Sequence, residues 1–201
     1  MEESNARDQG QRIETLKGIC GSAVKACVVD RGDLIVETSA DEVLSVLKSC
    51  KESPQLDYAL LVDITAVDWV DARPERFEVV YQLLSLSRKQ RRTVKVPVPE
   101  DKPEVASATQ LWKGANFLER EVWDMFGISF KGHPDLRRIL LYEEFVGHPL
   151  RKDYPVQGKQ PRIPLRHPEV ENTARQMHRA DLVTIRSRSK QDSVGFEEQG
   201  A

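Results

Sequence analysis

Residues 58–98 read YALLVDITAVDWVDARPERFEVVYQLLSLSRKQRRTVKVPV, and this stretch sets the fold class. Tyr58–Val67 is an almost unbroken apolar run, the pattern of a central strand covered on both faces. Phe77–Leu86 reads as the next strand, after an acidic, proline-containing loop at 68–75. The basic cluster Arg88-Lys89-Gln90-Arg91-Arg92 falls where a turn is needed before a third strand, Thr93–Val98. Read as a solvated turn, the cluster also discourages edge pairing; read as function, it is a nucleic-acid or lipid contact.

Upstream, residues 1–11 are polar and read as a flexible N-terminus. A short helix is expected over Arg12–Ile19, then a strand over Ala23–Asp30. Arg31-Gly32-Asp33 turns the chain into a strand over Leu34–Thr38. Ser39 or Asp41 is placed to cap a helix whose apolar face carries Val43, Leu44, Val46 and Leu47, with Pro54 helping to stop it. Downstream, Pro97, Pro99 and Pro103 end the sheet, and Glu104–Leu111 and Ala115–Phe126 read as two helices hinged at Gly114. The order predicts an α+β domain over residues 12–130, a mostly antiparallel or mixed sheet of about five strands with helices packed on it. An extended Pro/Arg-rich C-terminal arm follows, divided into a ribbon at 131–156 and a poorly ordered tail at 157–201.

The ribbon carries Gly-His-Pro twice, at 132–134 and 147–149. Proline fixes φ and pushes the residue before it out of the helical region, so His133 and His148 sit in extended backbone behind a glycine that permits a sharp turn. Such a segment satisfies few of its own backbone groups in ladders, and its Leu136, Ile139, Leu140, Tyr142, Phe145, Leu150 and Tyr154 need a dry surface. That surface is another protein or, alternatively, the ribbon's own domain. Arg137, Arg138, Arg151 and Lys152 are the functional candidates, because a planar guanidinium binds carboxylates bidentately in a dry interface. Asp153, Tyr154 and Pro155 add an acceptor and an amphipathic ring.

On the helix at 115–126, Leu118, Val122, Met125 and Phe126 share the core face, while Arg120 and Asp124 are placed four apart on the other side as a surface pair. Glu121 is placed at the border of the apolar face, between Phe117 and Met125, where it should seek Arg137 or Arg138. Glu119 and Glu121 do not make a general acid/base pair, since residues two apart on a helix point about 200° apart.

Several chemistries find no motif. Cys20, Cys27 and Cys50 are an odd number with wide spacing, unlike the four thiolates of an iron–sulfur cluster, and read as free thiols. His133, His148, His167 and His178 lack the short spacings of a metal site. There is no glycine-rich nucleotide fingerprint or phosphate loop. No apolar run approaches the ~18 residues of a membrane span, and no secretory signal is visible at the N-terminus. Charge is uneven: residues 1–130 hold 17 Lys and Arg against 22 Asp and Glu, whereas 131–190 hold 13 against 7. A basic arm on an acidic domain suits an acidic protein groove, and lacks the regular aromatic interleaving of single-strand nucleic-acid binders.

Glu119, Arg120, Glu121, Asp124, Gly127 and Ile128, then Gly132-His133-Pro134-Asp135-Leu136-Arg137-Arg138, then Gly147-His148-Pro149-Leu150-Arg151-Lys152-Asp153-Tyr154-Pro155 closely resemble a family signature. It is that of the 30-kDa subunit (the C subunit) in the peripheral arm of proton-translocating NADH–quinone oxidoreductase, respiratory complex I. The linker Leu141–Phe145 departs from it, since many relatives place Pro and Asp-Trp there. The resemblance implies a non-catalytic peripheral-arm subunit on the cytoplasmic side of the bacterial inner membrane, reaching the membrane through its partners. It implies docking against the D subunit, which lines the quinone pocket, and against other peripheral-arm subunits. FMN and iron–sulfur clusters would lie in those partners, with none in this chain. Electrons from NADH would reach a quinone bound by the complex, coupled to proton export. Within the superfamily the alternatives are a ferredoxin-fed photosynthetic complex or a membrane hydrogenase; outside it, a basic-armed RNA- or membrane-surface-binding protein.

Overall fold

A strand buried on both faces lies one place in from the edge of the main sheet, and the rest of the domain is arranged around it. In this computed structural model, which describes residues 2–161 with side chains from Gln9 onward, the elements are α1 (Glu2–Cys20), β1 (Ala26–Asp30), β2 (Asp33–Glu37), α2 (Val43–Glu52), β3 (Leu60–Asp68), β4 (Phe77–Ser85), β5 (Gln90–Val98), β6 (Glu104–Ala106), α3 (Ala115–Phe126) and β7 (Ser129–Lys131). Five strands pair in the order β1-β2-β5-β4-β3; β2 and β5 run parallel and the other pairs antiparallel. The expected α+β fold with a mixed five-stranded sheet is present.

Period-two alternation builds the core. Ile64, Ala66, Tyr81, Val79, Val94 and Val96 meet across three strands in register on one face. Leu34 and Val36 of β2, Val43, Val46 and Leu47 of α2, and Val122 and Met125 of α3 close over that face in a single cluster. Each fully buried aliphatic side chain contributes about 1.5–3 kcal/mol through removal from water.

The structure corrects several expectations. The continuous apolar run places β3 at the sheet edge, not at its centre: Leu60 and Val62 are 45% and 52% exposed. The doubly buried strand is its neighbour β4, because α3 lies along β3 and covers one face only. Residues 104–111 do not form a helix. Pro103 and Val105 favour extended chain, and β6 gains a parallel partner in β7, flanked by Ser129 N–H to Pro103 C=O (2.8 Å) and Ser107 N–H to Lys131 C=O (2.9 Å). Pro97 lies inside β5, beyond the last β2 pair at Lys95, where no neighbour requires its missing N–H. Neither Ser39 nor Asp41 caps α2; Glu42 occupies that position, with the Ser39 hydroxyl donating to its carboxylate at 3.1 Å. Helix α1 starts at Glu2, earlier than the Arg12 expected, because no proline stops a run of helix-tolerant polar residues.

The basic cluster is also divided. The turn occupies 86–89, and β5 has already begun at Gln90 in the middle of the sheet. Arg92 points into the core at 1% exposure and stacks 4.5 Å from the Tyr58 ring centre. The cluster is therefore neither a solvated turn throughout nor a continuous basic face for RNA or lipid.

Candidate functional site

Helix α3 ends at Phe126, and the ribbon completes that end. The last four carbonyls of a helix have no partner within it. Here Gly127 N–H reaches Trp123 C=O at 2.8 Å, His148 Nδ1 donates to Asp124 C=O at 3.0 Å, Leu150 N–H reaches Met125 C=O at 3.1 Å, and Arg151 Nε donates to Phe126 C=O. The segment from His148 to Arg151 is thus a remote helix cap, and Arg151 brings a cation to the negative end of the helix dipole. Gly127 makes the approach possible. Its φ is +75°, and a Cβ there would lie 2.5 Å from Arg151 Nη2 and 2.6 Å from the His148 ring. Burial lowers the His148 pKa, with the neighbouring Arg151 and Arg138 acting in the same direction, so the ring is neutral where it caps.

Asp124 is the second anchor. Its carboxylate is wholly buried, Oδ2 accepting the successive N–H groups of Ile139, Leu140 and Leu141 at 3.1, 2.9 and 3.0 Å. Oδ1 accepts from Arg138 Nη1 at 2.6 Å. Burial opposes ionisation, but the three amides and the guanidinium outweigh it and hold the pKa below the usual carboxylate range. Arg138 also donates to the Phe145 carbonyl at 2.8 Å and the Gly147 carbonyl at 3.2 Å, tying the approach to the second Gly-His-Pro to one side chain.

The third anchor joins the ribbon's end to the sheet. Arg76, 7% exposed, forks onto Asp68 with Nε–Oδ1 and Nη2–Oδ2 both 3.0 Å, and meets Asp153 at 2.8 Å and Glu100. Lys152 N–H donates to Asp68 Oδ2 at 2.8 Å. Hydrogen bonds donated to Asp68, then to Asp153, raise the Arg76 pKa, and Arg76 lowers that of Asp153. Sequence reasoning missed Asp68, read as the start of an ordinary acidic loop at 68–75, and Arg76, which follows that loop; the signal was an Asp and an Arg at the two ends of the connection between strands.

The pairing expected for Glu121 does not form. Glu121 is exposed and has no side-chain partner among the described residues. The buried acids are Asp124 and Glu119, because the helix is turned so that its inner face includes both. Glu119 accepts from the Ser107 hydroxyl and the Ala108 N–H, each at 2.6 Å, and burial raises its pKa to about 7. Arg120 does not pair with Asp124 but donates to the carbonyls of Arg137 and Arg138 at 3.1 and 2.9 Å. His133 reaches the Asn116 carbonyl at 3.1 Å. Among the described residues Arg137 pairs only with nearby Asp135 at 3.0 Å, on the surface. Pro134, Pro149 and Pro155 shape the turns, and Tyr154 stacks on Phe145 at 6.1 Å. Most polar candidates thus brace their own domain, and the apolar side chains Leu140, Val146, Leu150 and Val156 face outward.

This arrangement follows a known pattern. Residues 36–160 match the model of the respiratory-chain NADH dehydrogenase 30 Kd subunit family. The chain belongs to that family. Similar curated proteins, each named as the C subunit of NADH-quinone oxidoreductase, include those of Trichlorobacter lovleyi and Citrifermentans bemidjiense. They are 45% and 44% identical over 151 residues, 75% of this chain and 92% of each relative. Among solved structures, a trypsin-resistant fragment of Nqo5 is similar at 36% identity and TM-score 0.55, covering 63% of this chain and 98% of the fragment. A chain of the membrane-bound sulfane sulfur reductase, an archaeal respiratory membrane complex, is similar at 25% identity and TM-score 0.60, over 74% of this chain and 86% of that one.

As a 30-kDa-subunit family member, the chain is a peripheral-arm subunit of the NADH–quinone oxidoreductase complex. Among the described residues no helix is long and apolar enough to cross a membrane, in keeping with peripheral association. No group of three or more His, Cys, Asp or Glu that could hold a metal occurs among them. His167 and His178 lie outside the described residues, as does nearly all of the tail.

Proposed function

We propose that this chain is a docking subunit without catalytic residues or cofactors of its own, placed against the D subunit on the cytoplasmic side of the bacterial inner membrane. FMN and iron–sulfur clusters belong to partner subunits, and quinone is bound by the complex. The observation that carries this reading is the division of labour in the ribbon. Arg138, His148 and Arg151 are turned inward and hold it in place, with Asp153 pairing to Arg76 from the surface, while Leu140, Val146 and Leu150 stand 62%, 67% and 52% exposed on its outer side. A rigid irregular segment presenting spaced aliphatic side chains suits burial against another protein of the complex. Arg137, Lys152 and Glu121, exposed beside them, would form the polar rim.

Replacing Leu140, Val146 and Leu150 together with Asp tests the reading. These side chains contribute little to the isolated fold, so the purified chain should melt within a few degrees of wild type. In cells the complex should fail to assemble, and co-purification of partner subunits after mild solubilisation should be lost. A fully assembled complex with normal NADH–quinone activity would refute the proposal.

A further inference from the structure

A cavity of about 430 Å³ lies among α1, the loop before β3 and the start of β5. Its charged lining residues are all arginines: Arg12, Arg88 and Arg92. None of the three makes an ion pair with a carboxylate among the described residues. Arg12 reaches the Gly32 carbonyl at 3.4 Å, and Arg88 reaches the Pro54 carbonyl at 3.1 Å. Among the described residues, the Arg92 guanidinium meets the Cys50 sulfur at 3.9 Å and the face of Tyr58.

Burial makes this arrangement unusual. Arg92 and Tyr58 are each 1% exposed, and Arg92 Nε, the Tyr58 hydroxyl and Arg12 Nε are all buried without a hydrogen-bond partner. A hydrogen bond with Cys20, and Arg92 itself, lower the Cys50 thiol pKa, so Cys50 offers Arg92 at most a partial counter-charge, and a buried guanidinium with unmade hydrogen bonds is unfavourable. Family membership offers no reason for it, since none of these residues belongs to the ribbon or its anchors. What would satisfy the group is an anion with several acceptor oxygens. A phosphate group takes forked hydrogen bonds from guanidinium groups. The volume also exceeds that of a lone oxyanion and falls in the range of small-molecule sites, roughly 300–1,000 Å³.

We propose that this cavity binds a small phosphorylated molecule, its phosphate group held by Arg12, Arg88, Arg92 and the Tyr58 hydroxyl. The ring of Tyr58 orients Arg92 from one side, and Thr15 and Gln90 line the space left for the organic part.

The test is calorimetric titration of the purified full chain, in phosphate-free buffer, with inorganic phosphate and separately with glucose 6-phosphate. Sodium chloride at equal ionic strength is the control. Saturable binding of either probe is expected, with at least a ~10-fold loss of affinity in Arg12→Gln and in Arg88→Gln. Both side chains lie partly or fully at the surface, so the variants should keep the wild-type melting temperature within a few degrees. Tighter binding of the sugar phosphate supports an organic phosphate as the ligand, whereas equal or weaker affinity than inorganic phosphate would overturn the part of the proposal that places an organic group beside Thr15 and Gln90. The proposal is overturned if neither probe binds saturably at millimolar concentration, if chloride reproduces the heats, or if both variants bind as well as wild type.

Discussion

Replacing Asp124 with Asn keeps the shape of the side chain and removes its charge at the point where ribbon and helix join. The amide oxygen can still accept from the N–H groups of residues 139–141, which all converge on one carboxylate oxygen. Its NH₂ must then face Arg138 Nη1, now 2.6 Å from the other oxygen, donor against donor. Arg138 is only 13% exposed at its side chain. Breaking one side of a buried pair costs about 3–5 kcal/mol. The two carbonyls that Arg138 retains reduce this to about 3 kcal/mol, a large share of the 5–15 kcal/mol that holds a typical domain folded. Urea unfolding followed by tryptophan fluorescence measures the loss, and Trp123 stacked beneath Arg138 at 5.8 Å serves as a local reporter. Hydrogen exchange at the amides of 139–141 should accelerate along with it. The folded pKa of Asp124 lies below the unfolded value, so its contribution is fully present above about pH 4 and fades as pH falls further. The gap between wild type and variant should close only in that acid range. A loss below about 1 kcal/mol at pH 7, with those amides still protected, would refute the assignment of Asp124 as the anchor.

Gly127→Ala should destabilise the domain by about 3 kcal/mol, because the left-handed backbone and the contacts with Arg151 and His148 oppose a Cβ together; a change under ~1 kcal/mol by urea unfolding would mean that the ribbon does not approach the helix end so closely. Glu119 binds its proton more tightly when folded, so the stability linked to it is present at low pH and lost as pH rises from about 4.5 to about 7. Glu119→Gln, which cannot ionise, should therefore resemble wild type near pH 5 and gain up to about 3 kcal/mol on it near pH 8. Melting temperatures at the two pH values check this, and an identical difference at both would contradict the burial of an ionising carboxyl.

The sequence by itself determined the fold class, the family signature and the glycines of the ribbon. Those are local properties: alternation marks strands, a helical stripe marks α3, and Gly-His-Pro restricts backbone angles wherever it occurs. Gly132 and Gly147 both take the positive φ that such turns need, at +83° and +92°. Tertiary structure alone decided which charges were buried. Glu119, Glu121 and Asp124 occupy one short helix and look equivalent in one dimension, yet the first and third face inward because Ser107, Ala108, Arg138 and the 139–141 amides meet them from distant parts of the chain. The same holds for Arg92, which reads as part of a basic surface run until the pairing of β5 on both sides turns it into the core. Edge or centre is a property of the sheet's order, and partner or solvent depends on what packs against a side chain. Neither is written in local spacing.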